Sequence, residues 1–332
     1  MSYQQTEWGQ LRFGWRRAKS GYEWRDGPFQ EFGVNPTELQ QDRVLVAIGE
    51  PVEEYQLSAN LFLAFSSLHP DEESIRAFAD EWGLLGRYTG GIFFPKITPG
   101  KVMTGEPFKL WRDEIHAMAR AQWLWESIKN EPELKDHIKW KGADAVLYED
   151  EDSLEFEEAG VRTPRPGTTI ASRETNPDVF ATFKPGDLIR PARHYLQGLV
   201  RDHLIAPLRL VWTHDRKHMS LIGLPDSLID YLWFELARSI ADYRSFRPCL
   251  VCRQTMLVAA EGKGYRSKRL TCSDACRTKA HDIRVKAAAF RKKQRSHEKI
   301  AEQLNIDPEQ LTKIMDAGQK SMTGRKRGSI RK

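Results

Sequence analysis

The chain has 332 residues, 40% hydrophobic and 29% charged, with ten Trp, a composition that suits two domains, or one domain plus small modules, around a sizeable core. No apolar run approaches the roughly 18 residues that a membrane span needs. The opening MSYQQTEWGQLRFGWRRAKS has no apolar export core, so the expectation is a cytoplasmic protein with no membrane partner. The net charge of +5 conceals a division. From Arg244 to Lys332 there are 23 Lys or Arg against 8 Asp or Glu, a balance of +15, which leaves 28 against 38, or −10, for residues 1–243. A basic end of this kind meets a polyanion, or else is a solvated tail, and nucleic acid is the favoured partner.

In chain order, residues 1–43 carry Trp8, Trp15 and Trp24 among Gly and charged residues and suggest short strands or an extended arm. VLVAIG at 44–49 reads as a buried strand. LSANLFLAFSSL reads as helix, and Pro70–Asp71 with Glu72 and Glu73 opens another, predicted to stop at Gly86. TGGIFFPKITPG is a loop with room for one short strand. From Pro107 to Asn130, Phe108, Trp111, Ile115, Met118 and Trp125 recur at helical spacing and form one buried stripe. The acidic YEDEDSLEFEE at 148–158 and TPRPGTT at 163–169 read as surface. A helix from Pro191 to Leu204, a hairpin in RLVWTHDRKHMSLIGL and a helix opened by Pro225–Asp226–Ser227 complete a region predicted to be mainly α-helical over 1–243.

The chain's four cysteines then follow together. Cys249 and Cys252 form C-x2-C; after 19 residues, Cys272 and Cys276 form C-x3-C. Two close pairs at this separation are what a tetrahedral zinc site needs, each pair gripping the ion from a tight turn. A shell of four thiolates has no open position for water, so the predicted Zn2+ is structural. RQTMLVAAEGKGYRSKRLT between the pairs reads as a hairpin: Met256, Leu257 and Val258, a turn at Gly262–Lys263–Gly264, then a returning strand. Ser273 and Asp274 can cap a helix holding Cys276 in its first turn. Knuckle, hairpin and ligand-bearing helix make a treble-clef-like finger over 244–296.

That helix, RTKAHDIRVKAAAFRKKQRS, places Ala280, Ile283, Ala287 and Phe290 on one face. Arg277, Arg284, Arg291 and Arg295 edge it on one side and Lys279, Lys286 and Lys293 on the other, a pattern suited to phosphates, to which Lys292 is a further candidate contact. HEKIAEQLNIDPEQLTKIMDAG, at 297–318, is similar to the helix-turn-helix pattern. Asn305 takes the left-handed turn, Asp307 caps the second helix with Gln310 completing a capping-box-like pair, and Gly318 ends it. In that reading Gln310, Thr312 and Lys313 face base edges. Asp307 and Glu309 put negative charge where phosphate should lie, and a purely structural helical hairpin is the alternative. The tail at 319–332, with Arg325, Lys326 and Arg327, reads as disordered and suited to nonspecific phosphate contact.

The strings PDSLIDYLWFELARSIADYRSFRPCLVC, LTCSDACRTKA and KIAEQLNIDPEQL resemble bacterial proteins related to the CGNR-type zinc-finger family, and LFLAFSSLHPDEESIRAFADEWGLLG and WRDEIHAMARAQWLW resemble that group's N-terminal region. Here Cys276 is followed by Arg277–Thr278–Lys279 in place of Gly-Asn-Arg. The resemblance implies an α+β protein with a sensing N-terminal domain, whose partner is a protein or small molecule, and a DNA-binding zinc finger. It further implies a bacterial transcriptional regulator that binds double-stranded DNA and is nucleoid-associated when bound. A zinc-stabilised RNA-binding or protein-interaction module is the alternative. Enzyme readings fare worse. His214–Asp215–x–x–His218, with His194 and His203 nearby, sits at a polar hairpin turn, and His281 has no partner His for a metal-dependent nuclease. No Gly-rich phosphate loop, nucleophile elbow or dinucleotide fingerprint is present, so no catalytic residue is predicted.

Overall fold

The computed structural model describes residues 2–5, 11–31, 39–49, 52–56, 60–87, 91–94, 102–142, 144–148, 157–158, 161–162, 167–172, 184–204, 208–212, 219–223, 225–258, 269–292 and 296–326. The fold is α+β, with small antiparallel sheets. Contacts divide the chain into two units, Met1–Ala241 and Asp242–Lys332. Among the described residues no helix is long and apolar enough to cross a membrane.

The first unit opens with strands β1 (Ser2–Gln5), β2 (Leu11–Ala18), β3 (Tyr22–Asp26), β4 (Gln30–Glu31), β5 (Arg43–Ala47) and β6 (Val52–Gln56), then helices α1 (Leu61–Ser66) and α2 (Glu72–Trp82). Next come β7 (Ile92–Phe93), β8 (Val102–Met103), β9 (Gly105–Pro107), α3 (Phe108–Ser127) and α4 (Glu131–His137). Then follow β10 (Ile138–Lys141), β11 (Asp144–Leu147), β12 (Glu157–Glu158), β13 (Val161–Arg162), β14 (Thr168–Ala171) and α5 (Ile189–His203). The hairpin β15 (Leu208–Trp212) and β16 (Met219–Gly223) and helix α6 (Leu228–Ala241) end the unit. It is less helical than the sequence suggested. Six helices alternate with sixteen short strands among the described residues, because β-branched and aromatic runs too short to show a clear period still find antiparallel partners.

The core forms where sequence and register agree. Val44, Leu45 and Val46 of β5 are all fully buried, and β5 is the middle strand between β3 and β9. On α3, Trp111, Ile115, Met118, Ala121 and Leu124 are buried; the Trp111 ring lies 6.2 Å from both Phe65 and Phe78. Helix α2 begins where Asp71 accepts the Ser74 N–H at 2.7 Å, and it stops at Trp82, short of the expected Gly86. Gly83 has φ +89°, a conformation open to glycine that breaks the helix a turn early. The hairpin in 208–223 has Leu208 opposite Gly223 and Trp212 opposite Met219.

Polar groups are also buried in this unit. Glu106 of β9 accepts N–H bonds from Leu85, Gly86 and Arg87 at 2.6–3.1 Å. Burial, opposed by those three N–H groups and aided by the nearby Glu114, pushes its carboxyl up to about 7. Glu114 accepts from Trp233 Nε1 at 3.0 Å and lies 3.1 Å from His203 Nδ1. Burial alone would raise its carboxyl, but these bonds and Arg87 hold it below its ordinary value. Arg87 also reaches Asp230, at 3.3 Å.

Candidate metal centre and basic helix

The second unit contains strands β17 (Ser245–Pro248) and β18 (Thr255–Val258) and helices α7 (Asp274–Lys292), α8 (His297–Leu304) and α9 (Pro308–Lys326). Strands β17 and β18 are antiparallel, with Pro248 opposite Thr255, so Cys249–Cys252 sits at the tip of this hairpin. Pairing with a strand upstream of the first cysteine was not anticipated. The expected turn at Gly262–Gly264 and most of the returning strand after it fall outside the described residues. The tip is closed by Cys249 N–H to Gln254 O at 2.9 Å and Arg253 N–H to Cys249 O at 3.1 Å. Arg253 takes φ +64° to complete it.

The second cysteine pair is brought to the first through the backbone. Leu250 N–H donates to Leu270 O at 2.9 Å, and Cys272 N–H donates to Cys249 Sγ at 3.3 Å. Ser273 Oγ accepts from Cys276 N–H at 3.2 Å, which caps α7 and holds Cys276 in its first turn. The four sulfurs all lie within 4.8 Å of one another, with Cys252–Cys272 at 3.4 Å and Cys272–Cys276 at 3.5 Å. Four thiolates at about 2.3 Å from a tetrahedral zinc stand under 4 Å apart, so the Cys252–Cys272 and Cys272–Cys276 separations suit that ion and the cluster could hold it.

The electrostatics fit as well. Burial opposes ionisation of Cys249, but N–H bonds from Cys252, Val251 and Cys272 outweigh it and lower the thiol to about 6. Burial and the neighbouring sulfurs push Cys272 up, and burial raises Cys252. One thiolate forms readily and its neighbours then resist a second charge. A divalent cation removes that conflict.

Helix α7 buries Ala280, Ile283 and Ala287, and half-buries Phe290, against α8 and α9, where Ile300, Ala301, Leu311 and Ile314 are buried. Of the predicted phosphate contacts, Arg277, Lys279, Lys286 and Arg291 are exposed. Arg277 pairs with Asp274 at 3.1 Å, a surface contact that leaves it available. Arg284 is half-buried, its Nε donating to Ala280 O at 3.1 Å. The side chains of Lys292, Arg325 and Lys326, and residues Lys293, Arg295 and Arg327 altogether, lie outside the described residues, as do His214, Asp215 and His218.

Helix α8 ends at Asn305, which takes φ +51°, and Asp307 Oδ1 accepts from Gln310 N–H at 3.0 Å to start α9. There the predicted reading face needs correction. Gln310 is 8% exposed, and its amide nitrogen donates to Leu250 O at 2.8 Å and Val251 O at 3.0 Å. It therefore presents nothing to a base edge, nor does its side chain complete a capping box. Thr312 is exposed, but its hydroxyl donates to Pro308 O at 3.0 Å, and exposed Lys313 pairs with Glu309 at 2.7 Å. Nor does α9 stop at Gly318: it runs to Lys326, so residues 319–326 are helical rather than disordered. One glycine costs a helix only about 1 kcal/mol.

Sequence reasoning missed Gln310 as an internal link, and it missed Arg87, Glu106, Glu114 and Asp230, whose burial no local pattern announces. Compared with known proteins, the chain matches no family model, no curated protein and no solved structure.

Proposed function

We propose that the chain is a zinc-stabilised DNA-binding protein whose second unit grips the duplex mainly through the phosphates, as a bacterial transcriptional regulator would. The observation that carries this reading is the junction of the cysteine cluster with α7. The cluster, which could hold a metal, includes Cys276 in the first turn of a helix whose exposed residues include Arg277, Lys279, Lys286 and Arg291. The buried stripe of α7 docks on α8 and α9, and the cations edging it stand where phosphates can approach. The excess of +15 beyond residue 243 favours the same partner.

The burial of Gln310 favours a second reading. With that amide engaged internally, the unit has fewer groups able to discriminate bases, which suits a module that binds structured RNA by shape and charge.

One experiment addresses both. Affinity of the zinc-loaded full chain for a short duplex DNA and for an RNA hairpin of equal charge is measured across salt concentrations. The proposal expects tighter binding to the duplex and a steep log–log decline. Reversing Arg277, Lys286 and Arg291 to Glu should reduce the slope by about 0.9 for each lost contact. An unchanged slope refutes the role of α7, and a clear preference for the hairpin selects the RNA reading.

A further inference from the structure

We infer that Gln310 couples the metal knuckle to the α8–α9 helix pair, so that metal occupancy sets whether that pair is held in place. This rests on the metal-binding part of the function proposed above and is independent of which nucleic acid is bound.

Gln310 stands in the first turn of α9, more than nine-tenths buried. Both of its N–H donors are committed, to Leu250 O at 2.8 Å and Val251 O at 3.0 Å. Leu250 and Val251 are the two residues between Cys249 and Cys252. The direction of their carbonyls is therefore set by the same short turn that aims the first two sulfurs. A helix whose entry depends on two carbonyls inside a metal-binding turn registers the shape of that turn.

Two further contacts converge there. Arg253, the left-handed residue directly after Cys252, has Nη2 3.7 Å from Oδ1 of Asp307, the cap of α9. The side chains of Leu250 and Val251 pack against the cluster formed by α7, α8 and α9. The knuckle thus supplies part of the floor on which the helix pair rests. Were it to open, the Gln310 amide would lose both acceptors while still buried, which is more costly than never having made the bonds. The helix pair would then either loosen or shift until water reached that amide.

The alternative is that α8 and α9 hold together through Ile300, Ala301, Leu311 and Ile314 alone, whatever the knuckle does. Amide hydrogen exchange of the full chain under reducing conditions, zinc-loaded and after stripping by a chelator, separates the two. In the wild-type chain, stripping should speed exchange across 308–316 by about tenfold or more, the scale set by losing two buried hydrogen bonds. Gln310→Ala, and Gln310→Met as a variant that keeps the side chain's length, should exchange fast in this segment even with zinc bound. Both should retain the zinc content of the wild type, and stripping should then add little. The coupling is wrong if 249–276 opens on stripping while 308–316 stays protected. It is equally wrong if both variants keep the full zinc-dependent difference. A chain that takes up no zinc at all refutes the metal reading, and this inference with it.

Discussion

The two units hold themselves together by different means. All ten Trp lie within residues 1–243, and the first unit buries a large aromatic and aliphatic core in which Trp111, Trp233, Phe62 and Phe65 are fully enclosed. The second unit buries little of that bulk. Its helical cluster is built from Ala280, Ala287 and Ala301 with Ile283, Ile300, Leu311 and Ile314, and its hairpin adds Cys249, Met256 and Val258. A core this rich in alanine removes little apolar surface per residue from water, and small units of that kind usually need a further staple. The four cysteines stand where one is wanted. The comparison teaches that the first unit should respond to cavities and buried charge, and the second to metal.

The largest expected effect on the first unit comes from its most enclosed aromatic. Trp111→Ala should cost about 3–5 kcal/mol in denaturant unfolding of Met1–Ala241, the range for a large aromatic removed from a packed core. It should leave the zinc content unchanged. If the variant lost metal at the same denaturant concentration at which its first unit unfolds, the two units would be one cooperative system and the contrast would fail.

A smaller effect sharpens the picture of buried charge. Glu106 has a folded-state carboxyl raised to about 7, above the ordinary carboxylate value that it regains on unfolding. Its contribution is therefore fully present below that ordinary value and is lost as pH rises through about 7. In the wild type this one group should make the first unit less stable at pH 8 than at pH 5.5, by roughly 2 kcal/mol. Glu114 acts in the opposite direction, since its lowered carboxyl favours the folded state at higher pH. The test is thus a difference: Glu106→Gln, which cannot ionise, should lack the downward contribution between those two pH values. Parallel pH profiles for variant and wild type would show that Glu106 does not titrate in this window.

Legibility followed the range of the interactions. The α3 stripe could be read because Trp111, Ile115 and Met118 share one period, and the clustering of the four cysteines because two close pairs at that separation are spaced as a shared metal would require. The end of α2 at Gly83 and the continuation of α9 past Gly318 were misread for one reason: a glycine's effect depends on the φ that the surrounding structure demands. Helix α9 offers the sharper lesson. Asp307 capping is local, and the sequence displays it; the Gln310 side chain finds its acceptors some 60 residues earlier, at Leu250 and Val251. Likewise, β17 was passed over because Ser245–Pro248 has little strand character until Thr255–Val258 lies beside it. Arg87, Glu106, Glu114 and Asp230 read individually as surface charge, and only the fold brings them together.

The central claim is that metal builds the second unit, and metal analysis combined with spectroscopy of the full chain tests it most directly. One zinc per chain is expected, released together with native structure from Arg247 to Lys292, while Met1–Ala241 keeps its fold. Cys252→Ser should reproduce the stripped state without any chelator. A metal-free chain, or a Cys252→Ser variant, with a fully native second unit would contradict it.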